Sequence, residues 1–287
     1  MAKRLEGTDR EKVREWYNGY NFNGEHVYNP FDILLFIDSG FIFDNYWFAT
    51  GTPTFLIKLI QRQNYFIPQL ENLRVSRSLI DSFNIEDIKV EPILFQAGYL
   101  TIKEVKESRR GGQEYLLGIP NREVNISFND SIIDYLTSQN VEKFFYQDSL
   151  FAALENGDIG ELEDVVEGLF ASIPYNNYVN NTISSYEGYY AGVIYAYLAS
   201  LGLDLIAEDV TSKGRIDLTI KLGDNIYILE FKVDGRGDAL TQIKERNYQQ
   251  KYLAAGKEIY LLGIHFSSEK KNIAGFDWEK LKIIHLM

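Results

Sequence analysis

Asp217, Glu230 and Lys232 stand out among the 287 residues for their types and their spacing. Glu230 and Lys232 lie in Ile226-Tyr227-Ile228-Leu229-Glu230-Phe231-Lys232-Val233. Alternate residues of a strand face opposite sides, and here both faces are apolar at first, as in a central strand covered on both sides. A carboxylate and an ammonium at the end of one such face are costly unless they pair or bind something. Upstream, Leu222-Gly223-Asp224-Asn225 is a turn signal. A two-residue loop at Gly223-Asp224 pairs Leu222 with Asn225 and sets Asp217 opposite Glu230, with Cβ atoms about 4.5–5.5 Å apart. A four-residue loop keeps that register, and a bulge would break it. Two carboxylates this close repel when ionised, and a divalent cation relieves the repulsion. Hard oxygen ligands suit magnesium or manganese together with a substrate phosphate. Such an ion polarises a phosphoryl oxygen and activates bound water. Lys232 could orient that water or offset phosphate charge, and the Phe231 carbonyl is a further candidate ligand.

The elements that must position these groups follow from periodicity. Ser185–Leu201 reads as a helix whose stripe is Glu187, Ala191, Ile194, Leu198 and Leu201. Glu187, the only charge on the stripe, would be aimed at the carboxylate end of a sheet; a plain first-turn carboxylate favoured by the helix dipole is the alternative. Strands follow at Leu203–Val210, Arg215–Leu222 and Asn225–Val233, then a helix with Asp238 as N-cap and Gly256 past its end, then a strand Glu258–His265. Gln242, Arg246 and Gln249 form a polar row on that helix, suited to lining a groove or to solvation. Glu208 and Asp209 are either extra acids near the site or, the preferred reading, a solvated strand end. His26, His265 and His285 lack metal-ligand spacing.

The preceding chain reads as mainly helical: residues 5–20, a helix from Asn29-Pro30, Phe55–Arg62, and Ser127–Phe170 with a break at Asn156-Gly157. Short strands are expected at Val90–Leu94 and at Tyr99–Val105, the latter in a hairpin with Glu114–Ile119 across Arg109-Arg110-Gly111-Gly112. The expected division is 1–120, a helical connector 121–175 and an αβββαβ domain 176–287, with the junction near Ser172–Tyr178. The fold class is α/β in the last domain and α+β over the whole chain, with a mixed central sheet.

Glu187, Asp217 in Gly214-Arg215-Ile216-Asp217, Glu230-Phe231-Lys232 and Gln242 together resemble the PD-(D/E)XK nuclease superfamily, of restriction-endonuclease-like fold. The resemblance implies that Asp217 and Glu230 bind the metal, that Lys232 assists the attacking water, that Glu187 completes the metal site and that Gln242 is the helix glutamine of RecB-like members. Ile216 stands where the motif's namesake proline would be. Trp16-Tyr17-Asn18-Gly19-Tyr20-Asn21-Phe22, Tyr28-Asn29-Pro30-Phe31 and Leu94-Phe95-Gln96-Ala97-Gly98-Tyr99-Leu100-Thr101 resemble a bacterial family in which an AAA-ATPase-like region precedes such a domain. The chain looks like the rear part of such a protein. No G-x-x-x-x-G-K-[ST] segment is present, so no ATPase activity is expected.

Composition narrows the classes. The absence of Cys excludes a disulfide scaffold, a Cys-ligated zinc and a thiol nucleophile. No apolar run reaches a membrane span and Met1–Thr8 has no signal-peptide core, so a cytoplasmic protein without membrane contact is expected. The formal net charge of −12 argues against a nucleic-acid partner until its distribution is read. Residues 1–175 carry 16 basic and 27 acidic side chains, whereas residues 176–287 carry 13 and 14. The acid lies away from the candidate site, where it favours a protein partner for the N-terminal region. Hydrolysis of nucleic acid, DNA first, with magnesium or manganese is the expected function. A catalytically inactive nuclease-fold interaction module of an ATPase-like regulator is the alternative.

Overall fold

Asp9, Asn29 and Asp158 each precede an apolar-periodic run, and each caps a helix by accepting hydrogen bonds from the first-turn N–H groups. These helices belong to a computed structural model that describes residues 7–21, 24–47, 54–63, 65–80, 89–107, 111–174, 187–235 and 237–281. The chain forms two compact units, residues 1–131 and 132–287.

The first unit runs α1 (Arg10–Tyr17), β1 (Asn18–Tyr20), β2 (Val27–Tyr28), α2 (Pro30–Asp38), α3 (Thr54–Arg62), β3 (Leu73–Ser76), α4 (Arg77–Ile80), α5 (Val90–Gln96), β4 (Thr101–Glu107) and β5 (Gln113–Gly118). The helix expected over 5–20 stops at Tyr17, because Asn18–Tyr20 pairs with Val27–Tyr28. The hairpin β4–β5 gains a third strand, β3, on the far side of β5. The strand expected at Val90–Leu94 is a helix. Val90, Pro92 and Leu94 are its buried residues, an alternation that imitates a strand, and Pro92 is tolerated in a first turn where its missing N–H has no partner to lose. Asp32 on α2 and Glu123, both fully buried, face each other, and Glu123 Oε1 accepts the N–H groups of Tyr46 and Trp47 at 2.7 and 2.9 Å. The basic hairpin tip at Arg109-Arg110 lies outside the described residues.

Helix α6 (Arg122–Thr137) crosses the division. The second unit continues with α7 (Glu142–Asn156), α8 (Ile159–Ala171), α9 (Glu187–Ser200), β6 (Asp204–Val210), β7 (Arg215–Leu222), β8 (Asn225–Val233), α10 (Ala239–Glu245), β9 (Glu258–Ser267) and β10 (Asn272–Leu281). One mixed sheet has the order β10-β9-β8-β7-β6, with β8 and β9 parallel and the other neighbours antiparallel. The αβββαβ order is therefore present, extended by the edge strand β10. The unit is larger than residues 176–287, because α7 and α8 pack with its sheet. The Tyr227 hydroxyl donates to the Leu154 carbonyl, and Phe170 meets Phe266 edge-on at 5.2 Å. The junction expected near 172–178 falls largely outside the described residues.

Helix α9 is buried along its whole course from Tyr189 to Ser200, not along one stripe. One side meets the sheet, where Tyr190 stacks on Phe266 at 4.6 Å. The other meets α7, where Gln147 Nε2 donates to Ser200 Oγ at 2.7 Å. A helix apolar all round is a helix covered all round, so Tyr189 and Tyr190 are packing residues. The opposite face of the sheet carries Ile226, Ile228, Ile259 and Leu261, closed by Ile243 of α10 and by Tyr248 and Tyr252. Helix α10 ends at Glu245, and Asn247 at φ 50° turns the chain into a 3-10 turn that brings Tyr248 and Tyr252 into this core. Gln249 consequently leaves the row expected with Gln242 and Arg246.

Candidate active site at the end of the central strand

The β7–β8 turn sets the register that the sequence leads one to expect, from Leu222↔Asn225 to Leu218↔Leu229. One residue further the ladder gives way to a side chain: Asp217 Oδ2 accepts the Phe231 N–H at 2.9 Å. A carboxylate thus replaces a backbone carbonyl at the end of the sheet, directly beside Glu230.

Glu230 is fully buried. Gln242 Nε2 donates to its Oε2 at 2.8 Å, and Lys232 Nζ lies 3.5 Å from the same oxygen. Its Oε1 is buried and accepts no hydrogen bond from an N–H or O–H group. Burial, with Asp217 beside it as the next cause, pushes the Glu230 carboxyl up to about 8 against the pull of Lys232.

The approach of α10 depends on Gly263, which neighbours Glu230 in the parallel pairing. A Cβ there would lie 2.6 Å from the Leu240 nitrogen and 3.0 Å from the Ala239 Cβ. The missing side chain lets α10 settle onto β9, and that brings Gln242 to Glu230. Nothing in the local pattern marks Gly263, because its reason is a tertiary contact.

Asp217, Glu230, Lys232 and Gln242 are thus brought together. Arg246 is not: its Nη1 donates to the Lys213 carbonyl at 3.2 Å. Glu187 opens α9, and its side chain lies outside the described residues. The acids Glu208 and Asp209 are not solvated as expected. Asp209 is buried and accepts from Thr219 Oγ1 at 3.0 Å, from Lys251 and from the Tyr252 hydroxyl, a satisfied structural group. Glu208 pairs with Arg215, and burial raises its carboxyl while Asp217 adds to the rise.

Asp217 and Glu230 suit a hard divalent cation, since a buried oxygen without a donor faces a second carboxylate. Among the described residues no three acidic, His or Cys side chains converge, so this is a two-carboxylate arrangement. No described helix is long and apolar enough to cross a membrane.

Comparison with known proteins decides the family. A family model of the PD-(D/E)XK nuclease superfamily matches residues 185–276. This segment belongs to the PD-(D/E)XK nuclease superfamily. The matched span contains all four residues brought together at the sheet end, on the elements α9 to β10 of the nuclease fold. The chain is also 43% identical over 285 residues to an uncharacterized protein in the vnfD 5' region of Azotobacter chroococcum mcd 1. That match covers 98% of this chain and 55% of the relative, so the chain spans about half the relative's length.

Proposed function

We propose that the Asp217–Glu230–Lys232 centre hydrolyses phosphodiester bonds of nucleic acid, DNA foremost, with magnesium or manganese. The observation that carries the reading is the buried, donor-free Glu230 Oε1 beside Asp217 on a strand that also bears Lys232. Asp217 and Glu230 would hold the cation, with the Phe231 carbonyl and Glu187 as further ligands. When bound, the cation supplies Lewis-acid polarisation of the phosphate and a water of lowered pKa. Gln242 fixes the Glu230 carboxylate by its hydrogen bond, so that one oxygen stays directed towards the cation. Lys232, largely buried beside Glu230, orients the attacking water and offsets charge on the phosphate.

The test is hydrolysis of plasmid and single-stranded DNA with magnesium by the wild type, Asp217→Ala and Lys232→Ala. The reading predicts cleavage by the wild type and loss in both variants. Equal residual activity in all three would leave an interaction module without catalysis.

A further inference from the structure

We propose that His265 is a substrate-phosphate contact that widens the site by one strand, seating a backbone phosphate of the nucleic acid between itself and Lys232. The inference rests on the nuclease reading above and deepens it. In the parallel β8–β9 ladder Lys232 is paired with His265 and Glu230 with Gly263. Neighbours in such a ladder project from the same face, so the imidazole stands beside the Lys232 ammonium stem, one step beyond Glu230 along the strand direction. That face is the one that α10 covers, as the packing of Ile228 and Leu261 against Ile243 requires. At Gly263 the helix sits directly on the sheet. At His265 the cover ends, and the side chain keeps 19% of its surface exposed. On the β10 side His265 faces Gly275, which offers no side chain to bury it.

The imidazole makes no hydrogen bond to a described residue, though it lies within ion-pair reach of Asp277. Asp277 Oδ2 is 3.7 Å from Nε2, an ion pair when the ring is protonated but beyond hydrogen-bond length, so the ring's N–H groups remain able to donate to an anion. Either tautomer carries one N–H and the protonated ring carries two, so a donor is available in every state. Asp277 on β10 and Asp238, the N-cap of α10, are the carboxylates that face it, and Lys232 is the cation. Two donor side chains side by side at the mouth of a metal-suited carboxylate pair form a seat for an anion that must lie against that pair. The phosphate next to the scissile one answers that description.

Steady-state cleavage of a short oligonucleotide by the wild type, His265→Ala and His265→Asn tests the contact, with thermal melting alongside. Removing a contact made equally to substrate and transition state raises KM and spares kcat. The expected result is a KM about tenfold higher in the Ala variant with kcat within about twofold, and KM restored to within about threefold by Asn, which keeps a donor. Melting temperatures should match the wild type. An unchanged KM, a loss confined to kcat, or equal defects in Ala and Asn would overturn the proposal. If the wild type cleaves nothing, oligonucleotide binding by fluorescence anisotropy separates the two readings. Affinity that drops about tenfold in His265→Ala keeps the phosphate contact while the nuclease reading falls. No binding by the wild type overturns both.

Discussion

Each unit of this chain sets two carboxyl groups side by side, and in each pair a fully buried glutamate is pushed well above the usual carboxylate range. In the first unit Asp32 and Glu123 are both fully buried, and burial raises both carboxyls, Glu123 to about 8. In the second unit burial and Asp217 raise Glu230 to about 8. What differs is the company. Glu123 Oε1 is met by two backbone N–H groups, those of Tyr46 and Trp47. Glu230 is met by an ammonium and a side-chain amide, and its partner Asp217 is half-buried at a strand end. A sealed pair whose carboxyls are pushed up by burial and that ties down a loop is a clasp. A pair with one member reachable from solvent and a cation alongside is suited to binding and chemistry. A raised carboxyl marks burial beside like charge; access and the surrounding donors mark function.

The sharpest way to break this contrast is to remove each pair in turn. Asp217→Ala or Glu230→Ala should lower oligonucleotide cleavage by about a thousandfold or more. Glu123→Gln should leave kcat within about twofold of the wild type. If Glu123→Gln abolished cleavage, the clasp would be part of the catalytic machinery and the contrast would fail. Next in size is Lys232→Ala, expected to lower kcat about a hundredfold and to raise KM as well, because the ammonium acts on the water in the transition state and also seats the phosphate. Gln242→Ala comes third. Losing one hydrogen bond to a charged group costs about 1.5 kcal/mol, close to a tenfold loss of activity.

The smallest effect is on stability against pH, followed by thermal melting from pH 5 to 9. Glu123 and Glu230 are both raised in the folded state, so the folded protein holds protons that the unfolded chain has released above its usual carboxylate range. Their contribution is complete below that range and is lost as pH rises towards about 8. Glu123→Gln should flatten that decline, raising the melting temperature at pH 9 by roughly 5 °C. A wild type equally stable at pH 5 and 9 would contradict the raised Glu123 and Glu230 carboxyls.

The site was far more legible in the sequence than the clasp. Asp217 and Glu230 lie on consecutive strands joined by a tight turn, so register arithmetic across Gly223-Asp224 was enough to bring them together. The helix pattern places Gln242 on α10, and its amide reaches Glu230. His265 has no metal-ligand spacing along the chain to mark it. Its place beside Lys232 comes from the parallel β8–β9 pairing, which no local turn announces. The polar row through Gln249 failed at Asn247, whose left-handed conformation ends the helix early. Asp32 and Glu123 are 91 positions apart and meet only through packing, so no spacing rule brings them together. The same holds for α9, whose second buried side exists because α7 covers it.

Titration calorimetry with manganese on the wild type, Asp217→Ala and Glu123→Gln tests the central contrast most directly. The account predicts binding to the wild type and to Glu123→Gln with matching affinity, and no measurable binding to Asp217→Ala. Undiminished binding to Asp217→Ala, or binding lost in Glu123→Gln alone, would contradict it.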